Sequence, residues 1–306
     1  MTGKPLVLLW GLPYEEPLSC VHQALRDLGT PVLLLDQRRA LATRLVPRKD
    51  GPLLRLPDAP ANHTVPLAAL TGAYPRPYAG VPTISDGGPA CRVARRHVAR
   101  LEHDLWHWLA TGHATVANRP EQAASNGTKP LQTRAARGCG FRVPDSLLTS
   151  DPTAALAFAG RHGRVIYKGA GAARTRTGLF DPDDTGRLAC LGTCPVYLQR
   201  YVPGSNVRVH VVDDAVFATE IDSDAVDYRA GVREMTPCRL PVAIADRCVA
   251  VTRALGLLIA GLDLIRATDG AWYFLEANTS PAFTFFPAAE QVAEAIARLL
   301  SRTAPG

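Results

Sequence analysis

Residues 260–278 read AGLDLIRATDGAWYFLEAN. Two apolar runs, 260–267 and 271–278, flank Thr268-Asp269-Gly270, so the stretch predicts a β-hairpin. A carboxylate interrupts each run: Asp263 in the first, Glu276 in the second, with Asn278 two residues on. Strand side chains alternate between faces, so Glu276 and Asn278 point the same way, and Asp263 can lie beside Glu276 on that face. Three hard oxygen donors without sulfur or imidazole suit Mg²⁺, whose shell is commonly completed by phosphate oxygens. The other reading pairs the carboxylates with arginines and makes Asn278 a turn residue. The residues alone leave both open, because a buried carboxylate needs some positive partner in either case.

The rest of the chain narrows the setting. Its 306 residues, 47% hydrophobic, are enough for two or three domains and exclude a disordered chain. No apolar run approaches the roughly 20 residues of a membrane span. LVLLW (6–10) reads as a first buried strand rather than a signal core, so a cytoplasmic location is expected. The seven cysteines are scattered. Cys190 and Cys194 are the nearest pair, and with no second pair to complete a zinc site all seven are expected as thiols. The net charge of +6 is spread along the chain as arginine. Its densest cluster, RVARRHVAR (92–100), falls in an expected amphipathic helix to residue 109, with Val93, Leu101 and Leu105 on the apolar side and a solvated basic face. Without aromatic–basic interleaving, neither a nucleic-acid nor a membrane partner is expected. Lysine is scarce. Only Lys4, Lys49, Lys129 and Lys168 occur, and the last two fall where a compact ammonium could serve a purpose arginine cannot.

Three units are expected. In residues 1–115, strands 6–10 and 31–36 around a helix at 16–29 make a βαβ start and hence a parallel sheet, followed by an irregular Pro/Gly-rich stretch at 47–90. WGLPYEEP is not a dinucleotide fingerprint. Residues 116–200 carry helices at 129–140 and 152–162 and strands 164–169 and 196–202, with a glycine-rich loop at 169–178 that lacks the G-K-[ST] of a Walker motif. Residues 201–306 carry a hairpin (207–212 and 215–221), a helix at 242–255, the opening hairpin and a last helix at 288–302.

Four stretches, in order, resemble the ATP-grasp superfamily, and within it the RimK-type carboxylate–amine ligases: NRPEQAASNGTKPLQTRAARGCGFRVPDSLLTSDP (118–152), VIYKG (165–169), LQRYVPGSNVRVHVVDDAVFATEI (198–221) and the opening hairpin. The resemblance covers residues 116–304. It implies an α/β chain with the ATP-grasp fold: an N-terminal parallel α/β domain (1–115) and two α+β subdomains clasping ATP, 116–200 with the glycine-rich loop and 201–306 with the metal site. It implies that Lys129 and Lys168 hold the phosphates. Gln199, Arg200, Tyr201 and Val202 would form the hinge under the adenine, with Asn206 near by. Asp263, Glu276 and Asn278 would bind Mg²⁺ or Mn²⁺, and Arg208 would stabilise the reacting phosphoryl and acyl groups. Arg174, Arg176, Tyr228, Arg229 and Ser280 are candidates for the substrate. The chain departs from the family at Asn206, where Asp is frequent. It departs again at ANTSPAF (277–283), where peptide-macrocyclising relatives carry NPxGQ. EIDSDAVDYR (220–229) nonetheless resembles the acidic and Asp-aromatic-Arg stretch of those relatives.

The implied reaction is ATP-dependent amide formation through an acyl phosphate. The expected partners are a small-molecule carboxylate, glutamate or another amino acid, and an amine. A ligase acting on a peptide or protein tail is the alternative, and a catalytically silent ATP-binding regulator is a rival of another class. A homo-oligomer is left open.

Overall fold

The computed structural model describes residues 5–57, 64–78, 88–169, 177–223, 225–226, 228 and 231–302. They divide into two units. The first takes residues 1–121, 282–285 and 289–306; the second takes 122–281 and 286–288.

In the first unit, strand β1 (Val7–Gly11) is buried along its whole length. It pairs in parallel with β2 (Val32–Asp36) on one side. The intervening helix α1 (Glu16–Asp27) buries Leu18, Val21 and Leu25. Glu15 starts that helix, its carboxylate accepting from the Leu18 N–H at 2.9 Å. Three short strands follow, β3 (Arg44–Val46), β4 (Leu53–Arg55) and β5 (Val65–Pro66), forming a small antiparallel sheet. Strand β6 (Gly72–Arg76) then returns to the main sheet beside β1, and β7 (Thr115–Val116) flanks β6 after helix α2 (Gly88–Thr111). Arg76 closes the carboxyl end of β6 with an ion pair to Glu15 at 2.6 Å, both side chains being buried.

Two sequence expectations fail here. Among its described residues the stretch 47–90 contains three strands, β4, β5 and β6, the last of them central in the main sheet. GAYPR looks like a turn because of Gly72 and Pro75. Gly72 is needed where the Leu300 backbone passes so close that a Cβ would overlap it. Pro75 is tolerated because β7 reaches only Gly72 and Ala73, leaving the proline on an unpaired flank. On α2 the buried stripe is Val98, Leu101, Leu105 and Leu109, while Val93 is exposed. Val93 lies five residues before Val98, which turns it well off that stripe.

The second unit begins with a short helix, α3 (Pro120–Ala123), which crosses from the first, and then α4 (Lys129–Gly138). Gly140, at positive φ, ends α4. Next come β8 (Ser146–Thr149), α5 (Pro152–His162, capped by Asp151), β9 (Val165–Gly169), β10 (Gly178–Leu179), α6 (Thr185–Cys190) and β11 (Val196–Arg200). Their sheet runs in the order β10-β9-β11-β8. α5 covers one face through Phe158, Val165 and Leu198.

The larger sheet holds β12 (Gly204–Val212), β13 (Ala215–Asp222), β14 (Glu234–Cys238), β15 (Ile259–Ala267) and β16 (Trp272–Asn278), in the order β14-β13-β12-β15-β16. Helices α4 and α7 (Val242–Ala254) bury one of its faces through Val207, Val209, Leu262, Leu264, Phe274 and Ala277. The opposite face carries the polar residues. The last helix, α8 (Ala289–Leu300), belongs to the first unit, where it packs on α1. Among the described residues no helix is long and apolar enough to cross a membrane.

Candidate functional site

The polar face of the larger sheet is organised in cross-strand rows. Thr219, Arg208, Asp263 and Glu276 stand opposite one another across β13, β12, β15 and β16. The next row is Phe217, His210, Gly261 and Asn278. Asp263 and Glu276 thus lie side by side, with Asn278 on the same face.

A β-bulge makes this possible. The β15–β16 register shifts between Asp263 and Leu264: Leu264 opposes Phe274, yet Asp263 opposes Glu276. Leu275 is the extra residue. Strict alternation from Phe274 would place Glu276 on the apolar face. Instead Leu275 and Glu276 both lie on the polar side, and Leu275 packs with Val202, Ile265 and Ala267.

Arg208 is 3% exposed and Asp263 7%. The Arg208 Nη1 donates to Asp263 Oδ1 at 2.8 Å. Its Nε donates to His210 Nε2 at 3.3 Å, and the guanidinium stacks over Phe286. The Tyr228 hydroxyl donates to Asp263 Oδ1 at 3.3 Å. A Cβ on Gly261 would overlap the Arg208 guanidinium and crowd Pro281, so any larger residue at that point of β15 would have to displace them. Burial first, and then the Arg208 charge, push the His210 pKa well below the usual histidine range. The ring is therefore neutral and able to accept from Arg208.

Lys129, the first residue of α4, approaches Glu276 with Nζ 4.0 Å from Oε2. The Asn278 side-chain oxygen Oδ1 accepts from the Ser280 N–H at 3.0 Å, closing a turn. Asp263 and Asn278 thus also make the contacts of the plainer reading of the sequence: an arginine partner for one, a turn for the other.

On the smaller sheet, Lys168 opposes Tyr197 and Ile166 opposes Gln199. By alternation these side chains share the face that α5 does not cover. Gln199 is 1% exposed. Neither its amide nitrogen nor its amide oxygen has a hydrogen-bond partner among the described residues. Past it, Arg200 lies over the Tyr273 ring, Arg164 stacks on Tyr201 at 4.2 Å, and Val202 joins the cluster of Ile265 and Leu275. Asn206 sits on β12 opposite Ile265. Arg174, Arg176 and Arg229 lie outside the described residues, as does most of the glycine-rich loop.

Two contributors escape the sequence reading. Leu275 and Ile265 form an apolar shelf beside Val202; the bulge that exposes Leu275 leaves no mark in the alternation. Gln132 is 2% exposed. Its amide nitrogen donates to the carbonyls of Ala277 at 2.7 Å and Ser125 at 3.0 Å, and its amide oxygen accepts from the Ala277 N–H at 3.0 Å. A glutamine one turn after Lys129 is the only signal it gives in the sequence.

A RimK-like ATP-grasp domain is matched over residues 195–300, which span β11 and the polar face just described. A D-alanine–D-alanine ligase of Anaeromyxobacter sp. (strain Fw109-5) is 36% identical over 102 residues, 29% of this chain and 33% of that protein. The chain spans about a third of the length of the curated relatives it matches. Likeness of fold extends much further. A Chryseobacterium gregarium RiPP-associated ATP-grasp ligase, solved in complex with ADP and a leader and core peptide, superposes with a TM-score of 0.83 at 19% identity over 98% of each chain. The ATP-grasp ligase PsnB, solved with a minimal precursor, Mg and ADP, gives a TM-score of 0.78 at 25% identity over 97% of this chain and 98% of that one. Residues 195–300 thus carry a RimK-like ATP-grasp domain, and the chain around them shares the fold of ATP-grasp ligases over nearly its whole length.

Proposed function

We propose that the protein is an ATP- and Mg²⁺-dependent ligase that activates a carboxylate of a peptide substrate and joins it to a nucleophile, an amine in the first instance. The observation that carries this is the row Arg208–Asp263–Glu276, with Lys129 against Glu276. It sets two carboxylates, an ammonium and a guanidinium on one face, the constellation a triphosphate and a divalent cation require.

The residues fit the groups. The orphaned amide of Gln199 supplies a donor and an acceptor at the hinge, as an adenine edge would need. Val202, Ile265 and Leu275 offer an apolar shelf for the base. Asp263, Glu276 and Asn278 are the hard oxygen donors for the cation, and Lys129 and Lys168 the phosphate partners. Mg²⁺, when bound, neutralises phosphate oxygens and withdraws charge from the γ-phosphorus. The chain's own residues position the rest. Arg208, fixed by Asp263 and His210, presents a guanidinium to charge that develops on the transferring group. The substrate carboxylate oxygen bonds to the γ-phosphorus as the bond to ADP breaks. The amine nitrogen then bonds to the acyl carbon as phosphate leaves, and one proton is released.

The peptide substrate is favoured over free glutamate by likeness across nearly the whole chain to ligases solved with peptides. The local match to D-alanine–D-alanine ligases favours the second reading, a small amino-acid ligase. ADP release should be measured with Mg²⁺ and ATP against acidic peptides on one side and amino-acid pairs on the other, with products weighed by mass spectrometry. Loss of one water per bond in a peptide is the expected result. Turnover with amino-acid pairs alone would establish the second reading. Mg·AMPPNP binding without ADP release from either set would leave a silent nucleotide-binding regulator.

A further inference from the structure

The carbonyl and N–H of Ala277 point away from β15 at the outer edge of the larger sheet. An exposed edge is normally paired, covered or blunted. Here the edge at Phe274 is met by the Arg142 carbonyl at 2.9 Å. At Ala277 it is met by one side chain, the buried amide of Gln132, which takes both backbone groups as a neighbouring strand would. Ala277 separates Glu276 from Asn278. Gln132 therefore grips, from behind, the backbone unit that flanks two of the proposed cation ligands.

The same glutamine sits three residues after Lys129 on a continuous helix, so the two share a face. The third bond of its amide, to the Ser125 carbonyl, ties in the turn that leads to Lys129. Among the described residues Lys168 has no comparable arrangement. It is carried by β9 in the other sheet of the unit.

We infer that Gln132 is a positioning residue that holds Lys129 in register with Glu276 and Asn278, so that this lysine is built into the cation-bearing sheet while Lys168 belongs to the smaller one. The inference rests on the nucleotide reading given above. It assigns the two lysines different mechanical roles: one is preset against the cation ligands, and the other is delivered by the sheet that carries the glycine-rich loop.

The test uses the full-length chain and two probes, Mg·AMPPNP and adenosine, with affinities measured by calorimetry. Adenosine engages only the hinge and shelf, so it reports on folding of the site without the phosphate subsite. Gln132→Met keeps the length and loses all three hydrogen bonds. Gln132→Asn keeps the polarity but falls one methylene short, and it serves if the methionine variant does not fold. Either variant should bind adenosine as the wild type does, and Mg·AMPPNP about tenfold or more weakly. Gln132→Glu, which retains the acceptor for Ala277, should fall between. Hydrogen exchange without nucleotide should speed up at residues 272–280 in the methionine or asparagine variant. Wild-type affinity for Mg·AMPPNP in that variant overturns the inference, and so does an equal loss for both probes, which would mark a merely structural glutamine. Failure of the wild type itself to bind Mg·AMPPNP overturns the nucleotide reading and the inference together.

Discussion

Arg208 and Asp263 form a buried pair, and the two halves of such a pair are not equivalent to its sum. Removing one partner strands the other charge, at a cost of about 3–5 kcal/mol, whereas replacing both with apolar groups is close to neutral. Arg208→Met should therefore lower stability in urea unfolding by about that amount, and Arg208→Met/Asp263→Leu should recover much of it. Additive losses would show that the pair is not coupled as its 2.8 Å bond implies. Gly261→Ala places a methyl group into the Arg208 guanidinium. It should cost about 1–3 kcal/mol through overpacking and lower ADP release with it; a fully active, equally stable variant would mean that Arg208 can move without penalty. His210 accepts from Arg208 on its own strand and packs edge-on against Phe286. Its folded pKa is depressed, so its contribution to stability is complete above the unfolded value of about 6.5 and is lost as pH falls below it. Gln at position 210 keeps an acceptor without this proton linkage. A melting temperature that declines less steeply below about pH 6.5 in His210→Gln than in the wild type is expected, and parallel declines would rule the imidazole out as the source.

At the scale of elements, β16 is decisive, and it was only partly legible. The hairpin, its turn and the shared face of Glu276 and Asn278 could be read from period-two alternation. The bulge at Leu275 could not, because a bulge answers to the packing of Phe274 and Ala277 on the helices behind the sheet rather than to any local residue preference. Strand β11, the helix at 152–162 with its Asp151 cap, and the hairpin turning at Asp213 were visible for local reasons. Strand β6 was not, since its glycine and proline serve contacts with segments far away in sequence. Arg208 was legible as a residue of interest, while its anchoring by His210 needed the register of β12. The shelf yields a prediction complementary to that for Gln132. Leu275→Ala keeps the bulge and removes apolar cover, so adenosine and Mg·AMPPNP should weaken by the same factor, about threefold to tenfold by calorimetry. A loss confined to Mg·AMPPNP would mean that Leu275 serves the phosphates or the cation ligands instead.

At the scale of the whole molecule, the first unit is assembled from both ends of the chain. α8 buries Val292, Ile296, Leu299 and Leu300 in it, and Leu300 abuts Gly72 of β6. Large apolar side chains of this kind contribute about 1.5–3 kcal/mol each when fully buried. A chain ending at residue 288 should therefore lose hydrogen-exchange protection in β1, α1 and β6, while β12, β15 and β16 keep theirs. Equal loss in both sets would show that the units do not fold separately.

This arrangement also bears on how the chain is made. Ribosomes release residues from the amino end, and domains commonly fold in that order. Here α1 emerges before every strand of the second unit, yet α8, which packs on it, emerges after all of them. The second unit has all its strands before then. The order of maturation is thus inverted: the second unit can close during translation, while the earlier part of the first waits for α8 to cover it. Nascent chains arrested before residue 289 should resist protease in the second unit and remain susceptible in the first.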